Sequence, residues 1–318
     1  MRFFVPLTTN IIRKRRVYMK TKIIVLALAL LSTINVVFSQ TSTGKTGALL
    51  WKISGQDLDK PSYILGTFHL KPAEFLDSIP EARTALLSAE QVVGELSLSD
   101  MGSLQLQMQQ TMMMPSDTTY QMLFSEEDYQ FVSEQLSASI GIGLDQLRVL
   151  KPAGINMTHV VIMYQKLLPA VNPANTIDIA VQNIAMENDK PILGLETVDK
   201  QIYALFGASL KRQAELLLCN LKNKEYEIST IKSVIEYYNR FDLGKLYEIS
   251  MSDDNPCLSS QEEINRLNKD RNDSWMKILP DLMKDKSSFI AVGALHLAGE
   301  EGLLNQLEKL GYKVEPVK

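Results

Sequence analysis

Ile64-Leu65-Gly66-Thr67-Phe68-His69-Leu70 near the start of the chain and Ala291-Val292-Gly293-Ala294-Leu295-His296-Leu297 near its end are the stretches that decide how this sequence folds. Each is an apolar, strand-like run followed by a glycine, two residues, a histidine and a leucine. Glycine lets a chain turn sharply or approach a ligand closely. Each histidine is therefore expected just past the C-terminal end of a strand, and in open parallel sheets sites form beyond those ends. The whole chain holds three histidines, and two of them fall in this pattern. A single motif of this kind reads as a turn cap. Two copies in a histidine-poor chain point to one shared site.

The flanking segments supply the rest of a sheet. Leu49–Ser54 alternates as a short strand, and Pro61–Gly66 is the next. Ile79–Ala89 has helical spacing and Gln91–Leu96 is a buried-type strand, so these residues form a strand–helix–strand unit of the kind that starts a parallel sheet. Lys190–Glu196 is another strand. Ser288–Val292, a helix over Glu300–Leu310 and a strand over Tyr312–Glu315, ended by Pro316, close the chain. Between them the sequence is mostly helical. Ser125 with Asp128 gives a capping-box start and Gly141 a stop. Pro152 opens a helix running to about Leu168. Thr176–Asn188 is a further helix, and helices continue from Val198 to about Asp285. The expected fold is α/β: a mixed, largely parallel central sheet in one domain over 49–318, with a long helical insertion around 98–175 and both histidine loops at one rim.

Two more strands end in carboxylates, at Gly94-Glu95 and Gly194-Leu195-Glu196. If the four strands run parallel, His69, Glu95, Glu196 and His296 gather at that rim. Two imidazoles with carboxylates suit a borderline divalent metal such as Zn²⁺, Mn²⁺ or Co²⁺, with His69, Glu95 and His296 as its ligands. A carboxylate left off the metal can act as general base on a bound water. Glu95 lies among Val92, Val93 and Leu96, where a carboxylate rarely stays unpaired. Glu196 has a second reading, as the cap of the helix that starts near Val198. Arg271-Asn272, placed in a long helix before Trp275, is read either as reaching a substrate carboxylate, Glu95 or Glu196, or as a solvated helix pair. His159, in an apolar helix, is read as structural. Met112-Met113-Met114 suits core packing better than a soft metal. The chain has no Gly-x-Ser-x-Gly elbow and no glycine-rich phosphate loop.

Composition narrows the function classes. The chain has 318 residues, 45% of them hydrophobic, and a net charge of -4, which supports a full core. No basic run interleaves with aromatics, so nucleic acid is not an expected partner. Lys20 and Lys22 precede an apolar stretch from Ile23 to Phe38, and small Ser39 leads into polar Gln40–Gly44. This reads as a signal peptide over 1–39, with Met19 as an alternative start, a short linker over 40–48 and export to the periplasm or beyond the cell. An uncleaved anchor is the competing reading. The mature part carries no apolar run long enough to span a membrane. Cys219 and Cys257 lack metal-ligand spacing, which leaves a structural disulfide and two free thiols as alternatives.

At these residues the chain resembles the TraB/GumN family, which includes the Tiki proteases. The resemblance rests on Leu50-Trp51-Lys52-Ile53, on Gly66-Thr67-Phe68-His69 with Pro61-Ser62-Tyr63 before it, and on Gly94-Glu95-Leu96. It continues through Lys190-Pro191-Ile192-Leu193-Gly194-Leu195-Glu196-Thr197, Arg271-Asn272 and Gly293-Ala294-Leu295-His296. Each motif is loose alone, but their order and spacing together are specific, and the likeness runs from about Leu49 to the C-terminus. It implies a metal-dependent hydrolase of the Tiki type acting on a peptide or protein, with catalytic roles for His69, Glu95, Glu196, Arg271 and His296. A remoter similarity to erythromycin esterases and to haem-binding ChaN proteins implies an alternative, a non-catalytic binder of peptide or haem. The stretch from about Leu98 to Asn175 matches nothing firm in the family.

Overall fold

The computed structural model describes residues 47–168, 172 and 175–318. The expected signal segment 1–39, the alternative start at Met19 and most of the 40–48 linker lie outside the described residues. Six strands form one sheet: β1 (Leu50–Ser54), β2 (Ser62–Thr67), β3 (Gln91–Gly94), β4 (Ile192–Gly194), β5 (Ser288–Gly293) and β6 (Lys313–Pro316). Their order is β4-β3-β5-β2-β1-β6. β4, β3, β5 and β2 are mutually parallel, while β1 runs antiparallel to both β2 and β6. The mixed, largely parallel α/β sheet read from the sequence is therefore the sheet that forms.

The slot of β5 follows from its composition. Phe289, Ile290, Ala291 and Val292 are all buried, so this strand needs cover on both faces. It lies between β2 and β3, pairing Leu65 with Ala291 on one side and Val93 with Ile290 on the other. The β2–helix–β3 unit exists, with its helix at Ala82–Ser88, but its two strands are not neighbours. β6, half-exposed along its length, takes the opposite edge from β4. The central core joins sheet residues such as Leu50, Ile64, Val93 and Ile290 to helix residues such as Val181, Trp275 and Leu304.

The segment between β3 and β4 is helical, with helices at Met101–Thr111, Glu126–Ile140, Leu144–Leu147, Pro152–Leu167 and Ile177–Glu187. It packs partly on itself: Tyr120, Val132, Leu136 and Leu144 form a second core with Leu217 and Leu221 from a later helix. Met112 is buried beside Met108 and Met157 and Met114 is partly buried against the second core, as the packing reading expects, but Met113 is exposed. Ser125 Oγ accepts the Asp128 N–H at 3.1 Å, and Gly141 ends that helix at φ +80. The Asp128 carboxylate accepts from Ser125 Oγ at 3.0 Å. Cys219 and Cys257 are joined in a disulfide. Among the described residues no helix is long and apolar enough to cross a membrane.

Candidate functional site

Because β4, β3, β5 and β2 are parallel, their C-terminal ends share one rim. β2 ends at Thr67, so His69 lies in the loop beyond it, and β5 ends at Gly293, so His296 falls in the single 3-10 turn that follows. β3 and β4 stop at Gly94 and Gly194, which puts Glu95 and Glu196 just past the strands. The Glu95 carbonyl accepts the N–H groups of Leu195 and Glu196 at 3.1 Å each, which ties these two ends together. The close spacing has a steric source in Gly66. A Cβ there would stand 2.9 Å from Leu297 Cδ1 and 3.1 Å from Ala294 Cα, so only glycine lets the two histidine loops pack.

Arg271 is the hub. Its Nη2 donates to Glu95 Oε2 at 2.5 Å and to Glu196 Oε1 at 2.6 Å, and its Nε donates to Glu196 Oε2 at 3.0 Å. Its Nη1 donates to His296 Nε2 at 2.9 Å, and its guanidinium carbon lies 4.8 Å from the Trp275 ring. The solvated-helix reading of Arg271 is thus overturned, since its forked donors match buried carboxylates. The cap reading of Glu196 is overturned as well. Thr197 caps the helix Val198–Phe206 through its hydroxyl, and Glu196 turns inward to Arg271. The long helix expected around Arg271 breaks at Asn268, leaving a seven-residue helix, Lys269–Trp275, that aims this side chain at the rim.

The two histidines are held in matching ways. An arginine N–H can only donate, so His296 Nε2 accepts and its proton sits on Nδ1, which donates to Asn272 Oδ1 at 2.7 Å. Asn272 is fully buried and fixed by its own N–H groups on the carbonyls of His296 and Glu301. His69 Nδ1 lies 3.0 Å from Asp178 Oδ2, and Asp178 also accepts from Thr67 Oγ1 at 2.5 Å. In both rings Nδ1 faces an oxygen and Nε2 turns toward the rim carboxylate and guanidinium: that of His296 accepts from Arg271, and that of His69 lies 4.0 Å from Glu95 Oε1.

Their charges differ. Burial and then Arg271 push the His296 ring down to about 3, so it is neutral near pH 7. Burial works against the charged form of His69 too, but Asp178 and Glu95 outweigh it and raise the ring to about 9. Glu95 is buried, yet Arg271 and the rings beside it hold its carboxyl far below the usual range; its Oε1 accepts the Gly293 N–H at 2.8 Å. Burial raises Glu196, with Arg271 pulling the other way.

All five residues singled out from the sequence therefore meet at the rim. Asp178, Asn272 as an anchor, and Gln201, whose amide reaches Glu95 Oε2 at 3.4 Å, were not assigned to the site from sequence. A metal can be tested against these residues. A Cβ on Gly293 would lie 3.3 Å from Glu95 Oε1, 3.5 Å from His296 Cδ2 and 3.9 Å from His69 Nε2, so this glycine leaves open the gap on which the three converge. The donor types are those that suit a borderline divalent ion, and Gly293 leaves room between them. Among the described residues no three His, Cys, Asp or Glu side chains are placed to hold an ion, and Arg271 takes lone pairs of Glu95 and His296.

The same span of chain matches the model of the TraB/PrgY/gumN family over residues 49–316. The chain belongs to this family. The match covers every strand and every rim residue, so the family pattern and the site occupy the same stretch. No curated protein and no solved structure matches the chain.

Proposed function

We propose that this TraB/PrgY/gumN-family protein is an exported, metal-dependent hydrolase of peptides, resembling the Tiki proteases, and that the strand rim is its active site. The observation that carries the reading is the pair of histidines, each with Nδ1 within 3.0 Å of a side-chain oxygen and each sharing the Gly293 gap with Glu95. This is the usual arrangement of ligating imidazoles, whose far nitrogen is oriented by an oxygen acceptor. His69, Glu95 and His296 would hold a Mn, Co or Zn ion, which when bound would polarise a carbonyl and lower the pKa of a water. Arg271 keeps Glu95 ionised and holds both carboxylates in place, and Glu196, engaged by two guanidinium nitrogens, serves to orient Arg271. His69 is the most open of the rim histidines and carboxylates, with 31% of its side chain exposed, so substrate approaches from its side. The Cys219–Cys257 disulfide and the apolar stretch Ile23–Phe38 support export to the periplasm or beyond the cell.

One observation favours a second reading, a binder of peptide or haem without turnover. Arg271 already satisfies Glu95, Glu196 and His296, so the rim is balanced with no added ion. The deciding experiment is a divalent-metal titration of the purified protein against a diverse peptide library, with His69→Ala and His296→Ala alongside. Cleavage that requires metal and disappears in both folded variants is the expected result. A folded protein that takes up metal at the rim and leaves every peptide intact would refute the hydrolase and favour the binder, and a Soret band on mixing with haem would select the porphyrin form.

A further inference from the structure

Away from the rim, a partly enclosed pocket of about 160 Å³ opens among the helices Pro152–Leu167, Leu210–Lys222 and Lys224–Asn239 and the segment around Cys257. None of the rim residues lines it. Much of its wall is apolar, from Met157, Val160, Leu205, Leu216, Ile231 and Ile249.

Most polar groups on that wall are already engaged. Asn156 Oδ1 accepts from the Asn220 side-chain amide at 3.1 Å. Gln213 bonds the Ala153 N–H and the carbonyls of Phe206 and Ala208. Glu263 takes two bonds from Arg212. Glu227 is the exception, since its Oε2 is buried and has no hydrogen-bond partner. Behind it His159 is fully buried with neither ring nitrogen partnered, and its Nδ1 is 3.7 Å from Glu227 Oε2, beyond hydrogen-bond reach. Burial pushes the Glu227 carboxyl up to about 7 and the His159 ring down to about 4, so the histidine supplies no charge to its neighbour.

A buried acceptor without a donor is costly, so a group that brings donors to the Glu227 carboxylate gains on entry. We propose that this pocket is a binding site for a small apolar primary amine, held with its ammonium on Glu227 and its hydrocarbon against Met157, Leu216 and Ile231. An ammonium offers three donors and the charge that complements a carboxylate. An anion would meet the free lone pairs of Glu227 and be repelled. The size agrees, because a dry apolar cavity of about 150 Å³ accepts a benzene ring. The wall is also fixed in advance, since Asn255, Cys257 and Ser259 line it and the disulfide ties them to the helix Leu210–Lys222.

The test is isothermal titration calorimetry of the full protein with benzylamine, above neutral pH, against benzyl alcohol and benzoate, in wild type, Glu227→Gln and His69→Ala. Saturable benzylamine binding is expected, weaker by roughly tenfold or more in Glu227→Gln, with benzyl alcohol weaker by a similar factor. His69→Ala should bind like wild type, which separates this site from the rim. An unchanged melting temperature certifies that Glu227→Gln is folded, and Leu216→Trp, which fills the pocket, should abolish binding independently. No benzylamine binding, equal binding of the alcohol, or wild-type affinity in either pocket variant would overturn the assignment.

Discussion

The two Gly-x-x-His loops carry the same motif into opposite electrostatic states. Beyond β2, His69 is partly open, faces the Asp178 carboxylate and is protonated near pH 7. Beyond β5, His296 is buried, faces the neutral Asn272 amide, accepts from Arg271 and is uncharged. The anchor on Nδ1 makes much of the difference. A carboxylate anchor stabilises an imidazolium, whereas an amide oxygen fixes the tautomer without adding charge. Their glycines differ in parallel. Gly66 is needed for packing against Leu297 and Ala294, while Gly293 borders the gap shared by the site side chains.

The largest effect is expected from removing the hub that joins the two loops. Arg271→Ala leaves Glu95 and Glu196 buried without their cation, and unfolding in urea at neutral pH should show a loss of about 3–5 kcal/mol. Arg271→Lys keeps the charge without the fork and should fall between the variant and wild type. A loss below about 1 kcal/mol for Arg271→Ala would mean that the rim does not depend on this residue.

The glycines come next. Gly66→Ala drives a methyl into the Leu297 side chain and the Ala294 backbone, and it should cost about 1–3 kcal/mol of stability. Gly293→Ala meets Glu95 and His296 at ordinary or slightly tight distances, so its stability cost should stay below about 1 kcal/mol. Its effect should fall instead on metal uptake and on peptide turnover, read by calorimetry and by a cleavage assay. Equal stability losses for the two variants would erase the distinction drawn here.

The smallest expected effect is on the titration of the two rings. In chelator-treated protein, NMR of the imidazoles should find His69 titrating near 9 and His296 near 3. Asp178→Asn should lower the His69 value by about one to two units and leave His296 in place. The signs for stability are opposite. His69, raised above its ordinary 6.5, contributes stability fully present below that value and lost as pH climbs through about 9. His296, depressed from the same starting value, makes the fold lose stability as pH falls from 6.5 toward about 3, and Glu95 adds a loss below its ordinary 4.5. A His69 that titrates with His296 would contradict the paired-anchor account.

The rim was legible in the sequence because parallel strand ends obey a local signal: an apolar run, a glycine and then a polar residue. That signal marked His69, Glu95, Glu196 and His296 directly. The anchors carry no such mark. Asp178 sits in the first turn of the helix Ile177–Glu187, where an aspartate has an ordinary role beside the helix N-terminus, and its approach to His69 depends on chain folded from far away. Asn272 looked like a companion of Arg271, and only the break at Asn268 turns both toward the site. The place of β5 was hidden for a related reason, since an apolar strand states that it is central without stating between which partners.

That position has a consequence for how the molecule comes into being. Gln91 and Ser288, neighbours across the sheet, are 197 residues apart in the chain. At about 5–20 residues per second of synthesis, β3 waits roughly 10–40 s for its partner. Until then β2 and β3 each present an open edge, the geometry that invites association between chains. A chain cut short before Ser288 has every residue of the helical segment and still lacks the strand that brings the two halves of the rim together, so a complete rim and protection from self-association arrive together, when Ser288–Gly293 joins the sheet.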